Sequence, residues 1–398
     1  MSKPPAPTRP NLHALLAAAL ALPGVAGAAA REESAALALR LSHYAEDALA
    51  AERSATGKEA ERYDIDIGQA RFALPLGERF SLDATLAYES MTGASPWFVQ
   101  AGANGEPVQV MSGATIDDQR TDFALRLSRY GDSDVVALSA GVSTEDDYLS
   151  VNGGLEWLHE LSDSHSSFNI GAAYSSDRLE PTEGGSARFP GRPVREEKSS
   201  ATVTLGFSTI INRRSQIQTA VSATRHEGFL SDPYKLAMVD GTAEQDQRPQ
   251  SRVLASWTTR YRYRLVQTRA SLHADYRYFR DQWEVDAHSA SLAWHQDAGE
   301  HWVIAPSLRY YSQSQAYFYA PLYPAERADG LKSSDYRLSP YGAVTYGLSA
   351  RYRDGGLELS LSAERYQSSG SLALGQVDTE NPGLVDFTIG SLGLEYRF

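Results

Sequence analysis

The sequence predicts an all-β protein, a transmembrane antiparallel up-and-down β-barrel of about sixteen strands. Apolar and polar residues alternate in segments of about ten to fifteen residues from Ala36 to the end of the chain. The connections between these segments are alternately short and long. No stretch after the first thirty residues approaches the eighteen consecutive apolar residues of a helical span.

Composition is consistent with one large barrel domain, which we expect to cover residues 31–398. Mean hydropathy is negative, −0.39, with 42% hydrophobic residues, which fits a soluble protein or a β-barrel but not a bundle of membrane helices. The chain has no cysteine, which excludes disulfides and thiolate metal sites. A formal charge of −13 argues against a nucleic acid partner, since phosphate backbones attract basic surfaces.

The first thirty residues have the features of a signal peptide. Lys3 and Arg9 precede an apolar run at 12–22, and the small residues Ala26-Gly27-Ala28 follow it. The run is too short to span a bilayer about 30 Å thick. We therefore expect cleavage near residues 28–30 and export of the mature chain.

The first strands illustrate the alternation. Leu37, Leu39 and Leu41 share one face of the first segment. The second covers about 62–74, and its phase blurs near Gly68, where we expect a β-bulge. A turn at 75–78 leads into the third segment, in which Phe80, Leu82, Ala84, Leu86 and Tyr88 face away from Ser81, Asp83, Thr85 and Glu89.

The remaining strands follow the same pattern, and the even total is that of a closed bacterial barrel. Short connections are predicted near 75–79, 130–134, 162–166, 212–215, 264–266, 296–300 and 353–356. Long ones are predicted near 47–61, 91–116, 177–198, 227–250, 316–337 and 368–383, with short exceptions at 144–147 and 280–283. Such segregation is typical of periplasmic turns and extracellular loops. A soluble propeller could supply as many strands, but its fold does not require short and long connections to alternate.

Aromatic residues near strand ends are candidates for the membrane–water boundary, where one edge of the ring is dry and the polar group is wet. Ordinary β-propensity is the alternative explanation. The candidates are Tyr88, Trp157, Tyr174, Trp257, Tyr261, Tyr263, Tyr276, Trp294 and Trp302.

Charged residues alternate with the apolar ones and are expected to line the lumen, because an Arg or Lys facing lipid at the midplane costs ~2–4 kcal/mol. Two interpretations remain open. An arginine ladder would attract anionic solutes, whereas pairing with Asp275, Glu358 and Glu364 would stiffen the wall, which is the commoner role. The predicted lumen-lining residues are Arg252, Arg260, Arg262, Arg264, Arg269, His273, Asp275, Arg277, Arg309, Arg351, Glu358, Glu364 and Glu395.

Other chemistry has little support in the sequence. The acidic groups at 145–147 and at Asp232, Asp240, Glu244 and Asp246 offer oxygen ligands for Ca²⁺, but solvated loop carboxylates are far more common. The histidines, such as His159, His273, His288 and His295, do not have metal-ligand spacing. No motif supplies a nucleophile with its base. We predict no metal, no cofactor and no catalytic residue.

The last strand resembles the terminal signal of bacterial outer-membrane barrels. Leu392, Leu394, Tyr396 and Phe398 share one face, and the chain ends in Tyr-x-Phe. The resemblance implies pairing with the first strand, contact with outer-membrane lipid, and handling by the barrel assembly machinery.

Several motifs resemble, in order, a proteobacterial family of outer-membrane proteins known only as a domain of unknown function. They are Thr92-Gly-Ala-Ser-Pro96, Glu145-Asp-Asp-Tyr-Leu149, Phe229-Leu-Ser-Asp-Pro-Tyr-Lys235, Leu272-His-Ala-Asp-Tyr-Arg-Tyr-Phe279 with Trp283 and His288, Leu308-Arg-Tyr-Tyr-Ser-Gln313, and Ser334-Asp-Tyr-Arg-Leu-Ser339. The resemblance covers about residues 36–398. It implies a barrel in the outer membrane of a Gram-negative bacterium, and no activity that could be carried over.

Function therefore stays open between two classes. The first is a porin-like channel or transport-related barrel for small solutes, with a polar, Arg-rich lumen. The second is a non-conducting scaffold or binding module for a periplasmic or surface protein. The loops 91–116, 227–250 and 316–337 are rich in aromatic residues and would fold inward as a plug or outward as a docking surface. An outer-membrane enzyme is a distant third.

Overall fold

A computed structural model describes residues 33–112, 116–162 and 165–398, and it confirms the all-β class. Sixteen strands close into an antiparallel barrel. They are β1 (Ala36–Glu46), β2 (Asp64–Leu76), β3 (Phe80–Gly93), β6 (Ile116–Tyr130), β7 (Asp134–Thr144), β8 (Tyr148–Glu160), β9 (Ser166–Leu179), β10 (Glu196–Asn212), β11 (Ser215–Gly228), β14 (Ser251–Leu265), β15 (Ala270–Asp281), β16 (Asp286–Ala298), β17 (Trp302–Gln313), β18 (Tyr341–Asp354), β19 (Leu357–Ser369) and β20 (Phe387–Arg397). The predicted signal peptide lies outside the described residues.

Each barrel strand pairs with its neighbour in the chain, and the last strand pairs with the first. The β1–β20 register runs from Ala36 opposite Arg397 to Glu46 opposite Phe387. Two hairpins stand outside the barrel sheet, β4 (Pro96–Ala101) with β5 (Pro107–Met111) and β12 (Leu236–Val239) with β13 (Thr242–Gln245). Short 3-10 helices occur at Ala51–Arg53, Tyr336–Leu338 and Gly370–Leu372. No helix of the described residues is long and apolar enough to cross a membrane.

The two ends of the barrel differ in their connections, as the sequence predicts. The end that also holds both termini of the barrel, here called the turn end, has the connections 77–79, 131–133, 161–165, 213–214, 266–269, 299–301 and 355–356. The opposite end, here called the loop end, has 47–63, 94–115, 145–147, 180–195, 229–250, 282–285, 314–340 and 370–386. Up-and-down topology therefore gathers the long loops at one end.

The bulge expected at Gly68 is absent, and that prediction is wrong. The β1–β2 and β2–β3 registers run without a shift from Asp64 to Ala73. Ile65 and Ile67 point to the same side of the sheet as Gln69. The sequence pattern changes there because the surroundings of that side change, from polar space near the turn end to an apolar cluster near the loop end.

The outward side of the barrel wall has an apolar band next to the turn end. Leu41 and Leu361, for example, are 65% and 60% exposed in the isolated chain, as expected of side chains that face lipid. Farther along the same side, toward the loop end, the outward residues become charged and exposed: Asp64, Asp66, Glu197, Arg225, Glu227 and Arg280. The wall therefore extends beyond the apolar band at the loop end.

The nine aromatic candidates all lie on this outward side by strand register, at two levels. Those near the turn end are Trp157, Tyr261, Tyr263, Trp294 and Trp302. Those farther toward the loop end are Tyr88, Tyr174, Trp257 and Tyr276. The two levels lie on either side of the apolar band.

Candidate functional site

The inward side of the wall encloses the lumen. A cavity of about 610 Å³ is lined by residues of strands far apart around the barrel, such as Arg40 of β1, Asn152 of β8 and Glu358 of β19. Sixteen strands about 4.8 Å apart and tilted by about 40° enclose a cylinder of roughly 16 Å radius at the backbone. Interior side chains and loops therefore decide what can pass.

Short polar side chains cover much of the middle of this inward side. The register places them on ten of the sixteen strands: Thr85, Ser139, Thr204, Ser222, Thr258, Ser291, Ser307, Ser349, Ser360 and Ser391. They offer hydroxyl groups and leave space. Long charged side chains between them therefore reach farthest into the lumen.

Twelve of the thirteen predicted lumen residues lie on the inward side by register. They are Arg252, Arg260, Arg262, Arg264, His273, Asp275, Arg277, Arg309, Arg351, Glu358, Glu364 and Glu395. The prediction is wrong for Arg269, which lies in the turn 266–269 with a φ of 52°. Its guanidinium donates to the Gly299 carbonyl at 2.7 Å. The connection extends to residue 269, three residues beyond the predicted 264–266, so this side chain belongs to the turn end.

Some of these arginines are paired, as the wall-stiffening interpretation requires. Arg262 pairs with Asp275, and the Arg264 and Asp297 side chains are 2.7 Å apart. Arg351 lies 3.1 Å from Glu358. Such pairs tie different strands together, and the two charges of each pair cancel.

Three other arginines on the same part of the wall have no ion-pair partner among the described residues. Arg260 and Arg309 lie in one row of the sheet, joined through Asp275 and Ser291. Arg277 is two residues along β15 from Asp275, and its Nε is buried without a hydrogen-bond partner. Glu364, expected to pair with an arginine, also has no ion-pair partner in the described part of the chain. The wall formed by β14 to β17 thus carries uncompensated positive charge.

The histidines contact neighbouring side chains. His159 Nδ1 is 2.8 Å from Asp134 Oδ1, and His288 Nδ1 is 2.8 Å from the Tyr276 hydroxyl. The His273 and His295 ring centroids are 4.0 Å apart on the inward side. None of these contacts forms a ligand set.

A different histidine was missed by the sequence argument. His43 lies 2.9 Å from Asp66 and 3.6 Å from Asp64, on the outward side near the loop end. Their ligand atoms are close enough together to hold a metal ion. Strand pairing brings these residues together, so sequence spacing gave no signal. All three side chains are about half exposed or more, and the described residues supply no further ligand, which gives the group little ability to retain a metal.

The loops at the loop end fold inward, into the mouth of the barrel. Tyr336, Leu384 and Val385 of the loops pack in one buried cluster with Tyr341 and Ala343, which are inward-facing residues of β18. The loops involved, 47–63, 229–250, 314–340 and 370–386, are called the cap below. Of the three loops whose direction the sequence left open, those predicted at 227–250 and 316–337 belong to this inward-folded cap.

A buried ionic cluster forms the centre of the cap. Asp335 Oδ1 is 3.4 Å from Lys235 Nζ, and its Oδ2 is 3.0 Å from Arg248 and 2.5 Å from Arg337. Burial alone would raise the pKa of Asp335, but these three cations hold it well below its usual value. Asp246 and Asp232 complete the cluster, at 2.7 Å from Arg248 and 3.0 Å from Arg337. Three carboxylates therefore balance three cations.

This cluster removes one of the two acidic groups considered for Ca²⁺. Asp232 and Asp246 face arginines, and Glu244 pairs with Lys332. Carboxylates already bound to cationic side chains are poor ligands for a metal ion. The sequence argument missed two of these partners because Arg337 is 105 residues from Asp232 and Lys332 is 88 residues from Glu244. Two of the motifs quoted above, 229–235 and 334–339, supply four of the six charged residues.

Further polar contacts join the loops to one another and to the wall. Asn381 donates to the Tyr319 hydroxyl and to the Ser334 carbonyl, both at 2.9 Å. Arg62 pairs with Glu46 of β1 at 2.6 Å and donates to the Gly383 carbonyl at 3.3 Å. The cap is therefore one folded unit and not a set of independent loops.

The short loop 145–147 also contacts the cap. The Tyr234 hydroxyl donates to Asp147, and the Glu145 side chain is 3% exposed. Burial, with Asp118 and Asp147 nearby, raises the pKa of Glu145 to about 8. This carboxyl group therefore titrates near neutral pH, close to Asp147, which contacts the cap.

Comparison with known proteins gives a family. A family model described as "Protein of unknown function (DUF3570)" matches residues 12–383. No curated protein matches the chain.

Similar solved structures include the siderophore receptor PirA from Pseudomonas aeruginosa, a bacterial polysaccharide outer membrane secretin and the CymD monoaromatic hydrocarbon channel. For PirA the identity is 11%, the match covers 92% of this chain and 62% of the receptor, and the TM-score is 0.46. The secretin is 10% identical, the match covers 92% of this chain and 98% of the secretin, and the TM-score is 0.48. CymD is 10% identical, the match covers 92% of this chain and 89% of CymD, and the TM-score is 0.41. The chain spans less than two thirds of the siderophore receptors that it matches.

Proposed function

The chain belongs to the DUF3570 family, and we propose that it is a transport-related barrel of the bacterial outer membrane. Its lumen is a channel that favours small anionic solutes, and the cap restricts the loop end. The barrel reaches the outer membrane after export by its signal peptide and is inserted by the barrel assembly machinery. The turn end then faces the periplasm, and the cap faces the outside.

The outward side of the wall supports this membrane placement. The apolar band and the two aromatic levels match the depth profile of a lipid bilayer. The charged outward residues beyond the band, such as Glu197 and Arg225, would then stand above the membrane.

The uncompensated arginines of the lumen carry the proposal of anion preference. Arg260, Arg277 and Arg309 lie on one wall without ion-pair partners among the described residues, between serine and threonine side chains that can replace water around a solute. Fixed charges of one sign in a narrow aqueous passage raise the local concentration of the opposite ion. The paired arginines, such as Arg262, contribute little to this field.

Ion selectivity in planar bilayers tests the proposal. Under a KCl gradient, the reversal potential of the purified barrel should have the sign of chloride preference. Replacing Arg260, Arg277 and Arg309 together by glutamine should move the chloride-to-potassium permeability ratio toward one. The control is Arg225→Gln, an outward-facing exposed arginine, which should leave the ratio unchanged. Cation preference in the wild-type protein would contradict the proposal.

A second candidate, a non-conducting binding module or scaffold, is favoured by the cap itself. Its central carboxylates are buried and fully paired, as in a fixed cover. Asp335→Asn leaves three cations without their shared partner and should loosen the cap. If neither this variant nor the wild-type protein conducts, while a periplasmic or surface protein co-purifies from detergent extracts, the binding role would replace the channel.

A further inference from the structure

The lumen cavity adjoins the seam where the last strand meets the first. Its lining includes Gln69 of β2, Arg40 of β1 and Ser360 of β19. These residues belong to one row of the sheet. Arg40 is opposite Gln69 on one side and opposite Gly393 on the other, and Gly393 is opposite Ser360. An amide, a guanidinium and a hydroxyl group thus stand side by side on four consecutive strands.

Gly393 leaves room within this row. A Cβ at this position would lie 2.4 Å from the Ser360 hydroxyl oxygen, which shows that the hydroxyl occupies the space above the glycine. The serine is thereby brought toward Arg40 across the width of β20. Any larger residue at Gly393 would push the two donors apart.

Arg40 stands out among the charged residues of the cavity because it has no ion-pair partner among the described residues. The others are engaged: Arg71 with Asp83, Arg120 with Asp122, Glu358 with Arg351, and Glu395 with Arg397. Arg40 is also exposed to the lumen. A guanidinium presents donors in a planar fork that fits a carboxylate or a similar acidic group.

We propose that this row is a solute-binding site for a small hydroxylated organic anion, such as a sugar acid. The acidic group would bind Arg40, and the hydroxyl groups would bind Gln69 and Ser360. A volume of about 610 Å³ lies within the usual range of small-molecule sites, about 300–1,000 Å³. This inference deepens the proposed function and rests on it in one respect, because the solute has to enter the lumen.

Binding of gluconate to the detergent-solubilised, full-length mature barrel tests the inference. Gluconate carries one carboxylate and five hydroxyl groups, and sorbitol is its uncharged counterpart. Isothermal titration should show saturable binding of gluconate and at least tenfold weaker binding of sorbitol, the factor expected of a charge-assisted hydrogen bond. Arg40→Gln should weaken gluconate binding by at least tenfold, and Ser360→Ala should weaken it by a smaller factor.

Arg225→Gln is the matched control, since it removes an exposed arginine on the outward side of the wall that does not line this cavity. It should bind gluconate as the wild-type protein does. The inference is overturned if the wild-type barrel binds no gluconate, if sorbitol binds equally well, or if Arg40→Gln binds as tightly as wild type. Titration in detergent does not depend on conduction, so a failure here is distinct from loss of anion selectivity in bilayers.

Discussion

Arg248 and Asp335 come from two different loops and meet at the centre of the cap, with Nη2 and Oδ2 3.0 Å apart. The Asp335 side chain is fully buried, and Arg248 is 10% exposed. A buried charge is tolerated only when it is well paired. The position of the two loops over the lumen is therefore coupled to this contact.

Replacing Asp335 by asparagine should destabilise the cap. The change leaves Lys235, Arg248 and Arg337 buried around a neutral side chain, and breaking such a cluster typically costs about 3–5 kcal/mol. We expect faster proteolytic cleavage within 229–250 and 314–340, while the barrel strands stay protected.

Asp329→Asn is the control for this experiment. Asp329 pairs with Arg327 in the same loop, but both side chains are more than a third exposed, and exposed pairs contribute about 0–1 kcal/mol. Equal cleavage rates for the two variants would show that the buried cluster does not hold the cap.

The cap should become less stable as the pH rises through neutrality. The pKa of Glu145 in the folded protein is raised to about 8 from its usual 4.5, so between these values the folded state holds a proton that the unfolded loop releases. Stability is then greatest below the unfolded value and falls as pH rises toward 8. Cleavage of the loops by a protease active from pH 5 to pH 9 should therefore accelerate with pH, after correction for the enzyme's own profile.

Glu145→Gln should remove most of this pH dependence, because it replaces the titrating group by a neutral one of the same shape. Asp146→Asn, a change at the adjacent exposed carboxylate, should retain it. The other charged groups near Glu145 are Glu89, Asp118, Arg120 and Asp147. A wild-type profile that is flat, or that rises in stability with pH, would contradict the assignment.

Gly342 is a site where an added methyl group should be destabilising. A Cβ there would lie 2.0 Å from the Leu372 carbonyl oxygen, whereas one at Gly390 would meet nothing within 4 Å. Gly342→Ala should shift the backbone of the loop 370–386, at a cost of about 1–3 kcal/mol. Gly390→Ala, on the outward side of another barrel strand, should be nearly neutral. Urea unfolding in detergent measures both, and equal effects would refute the close approach.

The sequence was sufficient for the barrel because each strand carries its own evidence. The alternation within the first strand is enough to predict that Leu37, Leu39 and Leu41 face outward, since one side of the wall meets lipid. The alternating connection lengths then gave the strand order and the two ends. The region around Gly68 shows where this kind of prediction fails. The inward side of β2 passes there from polar lumen to apolar cap, so the alternation in the sequence changes although the strand register is continuous.

The structure of the cap and the pairing of the lumen charges could not be predicted from the alternation within single strands. Asp232 and Arg337 are in contact at 3.0 Å although 105 residues separate them. The sequence around each residue does not indicate which residue it pairs with. Arg260 and Arg262 lie two residues apart on the same side of β14, yet only Arg262 pairs with Asp275. Such differences arise from the stagger of adjacent strands and from side-chain conformation.

The outward apolar band should tolerate charge much less than the cap does. Leu361 and Leu374 are 60% and 67% exposed, but Leu361 lies in the band on β19, and Leu374 lies in the loop 370–386. Leu361→Arg should lower the unfolding free energy of the barrel in liposomes by ~2–4 kcal/mol, because the guanidinium would face hydrocarbon. Leu374→Arg should have little effect, since that position meets water. A similar loss for both variants, measured by urea titration, would mean that lipid does not cover the β19 surface.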